Sequence, residues 1–200
     1  MTVSAVVQQV LASMGISPSS ETWSPTNKAS GVTLSNGNLT ATGPASFGGY
    51  AVSSINANFY CEAVFTNFGS IPRFGVCSSS WSFTTQELGD SNSISYNPSS
   101  GQVRYAGGGI ATIMTATTSD RICMAWEAST HKVWWRVNNG NWNNSGSDNP
   151  ATSTGGYSNF NPGAAVFPAY EVFGSTASVT AYFSQSSWLY TAPSGFPQIP

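Results

Sequence analysis

Residues 118–142 read TSDRICMAWEASTHKVWWRVNNGNW, and this stretch decides the fold. In residues 122–126, and again in residues 133–137, every second side chain is a bulky apolar one. Alternation with a period of two lets a strand place one face on a core and the other face toward water. A polar turn, residues 128–132, separates the two runs. After them, Asn139-Gly140 is a pair that supplies the positive φ of a tight turn. The stretch therefore predicts two paired antiparallel strands.

The composition favours a β-protein with a hydroxyl- and amide-rich surface. The chain has 200 residues, of which 40% are hydrophobic and 13% aromatic, so it can build a substantial core. Only 7% are charged, far below the roughly 25% of ordinary soluble domains. The net charge of −2 comes without any basic run, which argues against nucleic-acid binding. No apolar run approaches the roughly 20 residues of a membrane helix, so membrane insertion is not expected.

Cysteine and histidine usage argues against a metal site and implies no cofactor. The chain has three cysteines and one histidine, and no CxxC pair. Cys61, Cys77 and Cys123 each lie in a strand-like run, which favours buried free thiols, although a disulfide between two of them is left open.

From residue 22 onward the sequence alternates short strand-like runs with clusters of Gly, Pro, Asn and Ser. The candidate strands are residues 31–34, 39–42, 50–52, 59–65, 73–77, 93–96, 102–105, 121–126, 133–137 and 178–183. Many short strands without interleaved helices predict an all-β antiparallel sandwich. Gly107-Gly108-Gly109 lacks the Lys-Ser/Thr of a phosphate-binding loop, and we interpret it as a flexible loop.

Residues 1–20 are predicted to form a separate helical segment, with the sandwich domain spanning residues 21–200. An apolar stripe at helical spacing is formed by Val3, Val6, Val7, Val10, Leu11 and Met14. Gly15 and Pro18 are suited to end the helix. A short uncharged helix is marginal alone, so we expect it to pack on its own domain, on copies of itself or on a partner. Among self-associated forms, a trimer is the one expected first.

Four segments resemble the SPRY-type, concanavalin A-like β-sandwich in the version found in bacteriophage tail, fibre and other virion proteins. They are residues 58–65 (NFYCEAVF), 73–77 (RFGVC), 119–126 (SDRICMAW) and 132–140 (KVWWRVNNG). Their order resembles the family's successive motifs wYfEv, vGv, GDvIgva and k.w followed by NG. Asp120 keeps the family's acidic position, whereas Ser119 replaces its glycine.

The C-terminal half continues the resemblance, which covers roughly residues 45–197. The matching segments are residues 149–156 (NPATSTGG), 167–170 (FPAY), 179–185 (VTAYFSQ) and 190–196 (YTAPSGF). Tyr182 and Ser184 replace the family's usual Asn and Gly. The resemblance implies a jelly-roll sandwich that binds rather than catalyses.

Catalysis is not expected from the residues themselves. Sugar hydrolysis needs two carboxylates roughly 5 to 10 Å apart, and no E-x-D-x-x-E strand is present. Glu62 and Glu127 are interpreted as structural. His131 lies in a polar turn without a nucleophile motif, and we interpret it as a solvated turn residue.

The long segment 141–162 is the candidate ligand-binding loop. Aromatic faces stack on sugars and amide or carboxylate groups hydrogen-bond hydroxyls, so a glycan site is predicted there. The predicted site residues are Trp142, Asn143, Asn144, Asp148, Tyr157 and Asn159. The competing interpretation is that Trp142 and Tyr157 only pin the loop to the sandwich. Trp134 and Trp135 should face opposite sides of their strand, with the outward ring forming an interface or lying under a loop.

The sequence therefore predicts a non-enzymatic protein of the phage virion surface, such as a tail fibre. Its sandwich would attach to a host-surface glycan, and its N-terminal segment would contact other virion proteins. One alternative is a structural capsid decoration or head-fibre protein that binds no ligand. Another is a bacterial lectin-like binding module.

Overall fold

The computed structural model describes residues 21–43, 48–163, 165–174 and 176–199, and these residues are mostly strands and turns. Short 3-10 turns lie at Trp142–Asn144, Pro150–Thr152 and Gln185–Ser187. The strands are β1 Trp23–Lys28, β2 Thr33–Ser35, β3 Thr40–Thr42, β4 Gly48–Ala51, β5 Phe59–Asn67, β6 Ile71–Cys77, β7 Ser93–Asn97, β8 Gln102–Tyr105, β9 Gly108–Thr112, β10 Arg121–Glu127, β11 Lys132–Val137, β12 Phe167–Phe173 and β13 Ser178–Tyr182.

These strands form two sheets that pack face to face. Sheet A has the order β1-β4-β12-β6-β7-β8-β9, and sheet B has the order β11-β10-β5-β13-β3-β2. The paired strands are antiparallel in both sheets. Apolar side chains from both sheets form the main core between them. The predicted all-β antiparallel sandwich is therefore confirmed.

Strands β10 and β11 pair as the alternating sequence predicts. Met124 lies opposite Trp135, and Ala125 lies opposite Trp134. Met124 and Trp135 belong to the core between the sheets, whereas Ala125 and Trp134 belong to a second apolar cluster on the outer face of sheet B. Both tryptophan side chains are fully buried, so the outward ring lies under other parts of the chain.

Three local predictions differ from the structure. Gly108 and Gly109 begin strand β9, which pairs with β8, instead of lying in a flexible loop. Strands β1 and β12 were not among the predicted runs. The positive φ after β11 belongs to Asn138 (53°), so this turn does not use Gly140 for that purpose. The predicted N-terminal helix and its stripe fall in residues 1–20, outside the described residues.

The outer face of each sheet is covered in part by the protein's own chain, whereas the edge strands β2 and β9 are mostly exposed. Residues 78–92 fold over sheet A, where Trp81 and Leu88 pack with Tyr50, Cys77 and Ala169. Residues 184–199, which we call the tail, fold over sheet B and bring Phe196 against Trp134. The sandwich thus has two partly covered faces and two rims of connecting loops.

Candidate functional site

The predicted ligand-binding loop, residues 141–162, folds back along strand β11 and is held to it at several points. The backbones of Val133 and Tyr157 exchange hydrogen bonds of 3.1 and 3.0 Å. The Trp134 indole Nε1–H donates to the Thr154 carbonyl (2.9 Å), and the Lys132 ammonium donates to the Ser153 carbonyl (2.7 Å). This part of the loop therefore behaves as an added edge of sheet B.

Asn143 and Asp148 are brought together, but their polar atoms are used within the loop and to hold it to strand β11. Asn143 has a positive φ (50°), and its Oδ1 accepts the Trp135 backbone N–H at 3.0 Å. Its Nδ2 donates to Asp148 Oδ2 at 2.9 Å, and the Gly156 backbone N–H donates to the same oxygen at 3.3 Å. Burial would raise the pKa of Asp148, but hydrogen bonds from Asn143, Ser145 and Gly156 outweigh it and lower the pKa below its usual range.

Trp142 and Tyr157 contribute packing to the sandwich. Trp142 is only 8% exposed, and the Arg136 guanidinium lies over its ring at 4.6 Å from the centroid. Its edge approaches the Tyr60 ring with centroids 6.4 Å apart. Tyr157 is half-buried, with its ring centroid 6.3 Å from that of Trp135. These contacts match those expected of residues that pin the loop.

Asn144 and Asn159 are the two predicted site residues that are exposed. The Asn144 amide donates a long hydrogen bond (3.4 Å) to the Ile113 carbonyl. The six predicted residues therefore divide into four buried or half-buried residues that support the loop and an exposed amide pair. The glycan site in this loop stays a prediction.

Gly156 explains why the loop can lie directly on Trp134. Its φ is +82°, and a Cβ built there would lie 2.5 Å from Cε2 of the Trp134 ring. Only glycine combines this backbone conformation with so close an approach.

The tail is fixed to sheet B by the buried carboxylate of Glu62. Its two oxygens accept the backbone N–H groups of Leu189 and Tyr190, both at 2.9 Å, and the Tyr60 hydroxyl donates to it at 2.7 Å. The Arg121 Nε lies 3.3 Å from the same carboxylate. A second fixing point is the Arg136 guanidinium, which donates to the Thr191 carbonyl at 2.9 Å.

The tail leaves a groove of about 610 Å³ on its outer side, lined by Trp188, Leu189, Tyr190, Pro193 and Phe196 among others. Leu189 is 63% exposed, which is unusual for a large aliphatic side chain in this protein. The residues that line the groove all belong to the tail, and the exposed Leu189 gives it an apolar side chain at the surface.

On the other face, a buried ion pair holds residues 78–92 to sheet A. Arg73 on β6 donates to Glu171 on β12 at 2.9 Å, and its other terminal nitrogen meets Glu87 at 2.9 Å. Glu171 also accepts the Leu88 backbone N–H at 2.9 Å. Burial raises the pKa of Glu171 to about 7, an effect that Arg73 and the Leu88 N–H offset only in part.

The carboxylates considered for sugar hydrolysis, Glu62 and Glu127, lie far apart, and both accept hydrogen bonds within the fold. Glu62 lies opposite Cys123 in the sheet, and Glu127 lies four residues further along β10. At about 3.3 Å per residue this offset is roughly 13 Å, wider than the separations used by glycosidases. Glu127 accepts hydrogen bonds from the hydroxyls of Ser153 and Thr130.

A second concavity lies at the rim where the β10–β11 turn meets two other loops. It has a volume of about 430 Å³ and is lined by Ile55, Asn56, Trp126, Ala128, His131, Asn161 and Gly163. Sequence reasoning treated His131 as a solvated turn residue and did not find this pocket. Its walls come from three stretches far apart in the chain, so no local sequence pattern predicts it.

Within the described residues, no three His, Cys, Asp or Glu side chains cluster as metal ligands would. The three cysteines are buried and free, as the sequence favoured. None of the helical elements in the described ranges has the length and apolar character needed to cross a bilayer.

The fold is similar to that of solved SPRY domains. The SPRY domain of human HERC1 aligns with a TM-score of 0.60 and 15% identity, over 80% of this chain and 96% of that one. The TRIM65 PSpry domain aligns with a TM-score of 0.61 and 13% identity, over 90% and 99% of the two chains. Stonustoxin aligns with a TM-score of 0.57 and 16% identity, over 81% of this chain and 27% of the toxin.

At these identities the likeness establishes the fold alone. The SPRY-like sandwich inferred from the sequence motifs is confirmed by it, whereas the phage context of the resemblance stays a prediction. No protein-family model matches the sequence, and no curated protein matches it either.

Proposed function

We propose that this chain is a non-enzymatic binding module on the surface of a phage virion, where its loops attach to the host surface or to a glycan on it. The N-terminal segment, residues 1–20, would dock to other virion proteins or associate as a homo-oligomer, with a trimer expected first. The low charge and the motif resemblance support the virion setting.

One observation carries the binding role. Large parts of both outer faces of the described sandwich are covered by the chain itself, with Glu62 holding the tail and the Arg73–Glu171 pair holding residues 78–92. The loops at the strand ends are exposed, and the sandwich holds them in fixed positions. Binding residues are commonly found on loops that a rigid scaffold positions.

Immunogold labelling of purified virions with antibody against this chain tests the location. Gold particles at a fibre or another surface position are the expected result. Virions that carry no label, although the antibody recognises the purified protein, would exclude the virion role.

A structural role without ligand binding is the second candidate, and the tail groove favours it. An exposed Leu189 beside Trp188 and Tyr190 is the type of apolar surface that packs against a neighbouring protein. Deleting residues 2–16 and measuring incorporation and adsorption separately distinguishes the two roles. Particles that lose the protein yet adsorb normally favour the structural role, whereas particles that lose both favour attachment.

A further inference from the structure

The rim pocket is built from three loops that are each fixed to the sandwich. Ile55 and Val166 exchange backbone hydrogen bonds of 2.7 and 2.9 Å, which join the loop of Ile55 and Asn56 to the chain just after Asn161 and Gly163. The Ala128 backbone N–H donates to Asn58 Oδ1 at 3.0 Å, which holds the β10–β11 turn to the loop of Ile55 and Asn56. Phe160 is buried beside Trp126, with ring centroids 6.3 Å apart, and this packing anchors the loop of Asn161 and Gly163. A pocket with fixed walls loses little entropy when a ligand binds.

His131 occupies this pocket in a backbone conformation that disfavours most side chains. Its φ is +54°, in the left-handed region that glycine and asparagine adopt more readily. Its imidazole stacks on the Trp126 indole, with ring centroids 6.1 Å apart and an interplanar angle of 16°. Glycine would relieve the backbone at this position but would remove the ring that stacks on Trp126, and this stack holds the imidazole at the pocket.

The pocket combines an apolar floor with polar groups that have unused hydrogen-bonding capacity. Ile55, Ala128 and the Trp126 indole supply the apolar part. Among the described residues, neither the Asn56 amide nor the His131 ring makes a hydrogen bond. Asn161 uses only Oδ1, which accepts the Gly163 N–H at 3.0 Å, so its Nδ2 remains available.

The charge of the lining narrows the ligand class. No carboxylate, ammonium or guanidinium group is among the described residues that line the pocket. Such a lining offers no permanent positive charge to a phosphate, sulfate or sialic acid, since its one ionisable group is the His131 imidazole. Two amides and an imidazole can donate to and accept from neighbouring hydroxyls, while the apolar floor accommodates a C–H face or a methyl group. The volume of about 430 Å³ falls in the usual range for small-ligand sites, roughly 300–1,000 Å³.

We propose that the rim pocket formed by Asn56, His131 and Asn161 binds a neutral saccharide unit, a hexose or an N-acetylhexosamine. This inference rests on the proposed attachment function and names its site and ligand class. It moves the ligand contacts from the Trp142 end of the 141–162 loop to its far end, where Asn161 lies beside the β10–β11 turn.

The test compares the full-length protein with three variants on an array of neutral and acidic glycans, followed by titration calorimetry with the strongest hit. His131→Gly removes the imidazole, and the relief of the positive φ offsets the lost stacking on Trp126, so its stability should stay close to that of the parent. Asn161→Ala removes a second polar group. Asn36→Gly is the matched control, because Asn36 has the same kind of backbone (φ 53°) in the turn between β2 and β3.

Neutral-glycan binding that falls at least tenfold in His131→Gly and Asn161→Ala, and is unchanged in Asn36→Gly, is the expected result. Equal binding by all four proteins would overturn the pocket assignment and leave the attachment function standing. A parent protein that binds only acidic glycans or only peptides would overturn the saccharide class proposed here. If no glycan on the array is bound and the purified protein also does not reduce phage adsorption, both the proposed function and the pocket assignment are wrong.

Discussion

The buried carboxylate of Glu62 accepts a hydrogen bond from the Tyr190 backbone N–H at 2.9 Å, although 128 residues separate the two in sequence. This contact holds the tail against sheet B and keeps Trp134 under cover. The sandwich fixed in this way positions the exposed loops at its rim.

Replacing Glu62 with Gln should therefore loosen the tail. The Gln side chain would present an N–H group where the carboxylate now accepts backbone N–H groups, and the Arg121 partner would lose its counter-charge. We expect the free energy of unfolding to fall by about 3 kcal/mol and amide exchange at residues 189 and 190 to accelerate. Urea denaturation and hydrogen exchange measure both. Glu127→Gln is the control, since Gln keeps an acceptor for the Ser153 hydroxyl, and its change should stay below about 1 kcal/mol.

Trp142→Ala should act on stability. Its indole is 8% exposed and lies under the Arg136 guanidinium, so truncation should lower the free energy of unfolding by about 3–5 kcal/mol. Asn144→Ala, at an exposed neighbour, should change it by less than about 0.5 kcal/mol. A Trp142→Ala protein with parental stability and no glycan binding would instead restore this residue to the ligand site.

Gly156→Ala should destabilise the fold through two separate effects. The methyl group would clash with the Trp134 ring, and the φ of +82° is unfavourable for alanine. Together these should lower the free energy of unfolding by about 2–4 kcal/mol. Gly37→Ala isolates the backbone effect, because Gly37 has a φ of +62° and no atom within 4 Å of its Cβ position, so about 1 kcal/mol is expected. Equal thermal midpoints for the two variants would show that the Trp134 contact is not tight.

Glu171 should make stability depend on pH between about 5 and 8. Burial raises its folded-state pKa to about 7, above its value in the unfolded chain, so the folded state binds this proton more tightly. The corresponding stability is fully present below the unfolded pKa and is lost as the pH rises through 7. Relative to Glu171→Gln, the parent should lose on the order of 3 kcal/mol over this range. Urea midpoints measured at pH 5 and pH 8 test this, and parallel pH profiles for the two proteins would contradict it.

The alternating residues of β10 and β11 were enough to predict their pairing, because period-two patterning is local information, and the series of short strands without helices predicted the sandwich. Strand β9 could not be predicted in that way, since Gly108 and Gly109 indicate a loop and only pairing with β8 makes them a strand. Strand β12 contains Pro168 and Glu171 and is buried on both faces, so it shows no alternation.

The candidate site depended on contacts that are distant in sequence. Trp134 faces outward from the main core as its position predicts, yet the tail buries it from more than 50 residues away. Trp142 is the type of aromatic residue on which sugars stack, but it packs against Tyr60 and Arg136. The loop sequence does not reveal these contacts. The His131 pocket exists because three separated loops meet at one rim.

The attachment claim is tested most directly by competition in phage adsorption. Host cells are incubated with increasing concentrations of the purified protein before virions that carry this gene are added, and the adsorption rate is measured. We predict a saturable fall in the rate with the parent and with Asn36→Gly, and a much weaker effect with His131→Gly. An adsorption rate that stays constant up to high concentrations of the folded parent protein would contradict the attachment function.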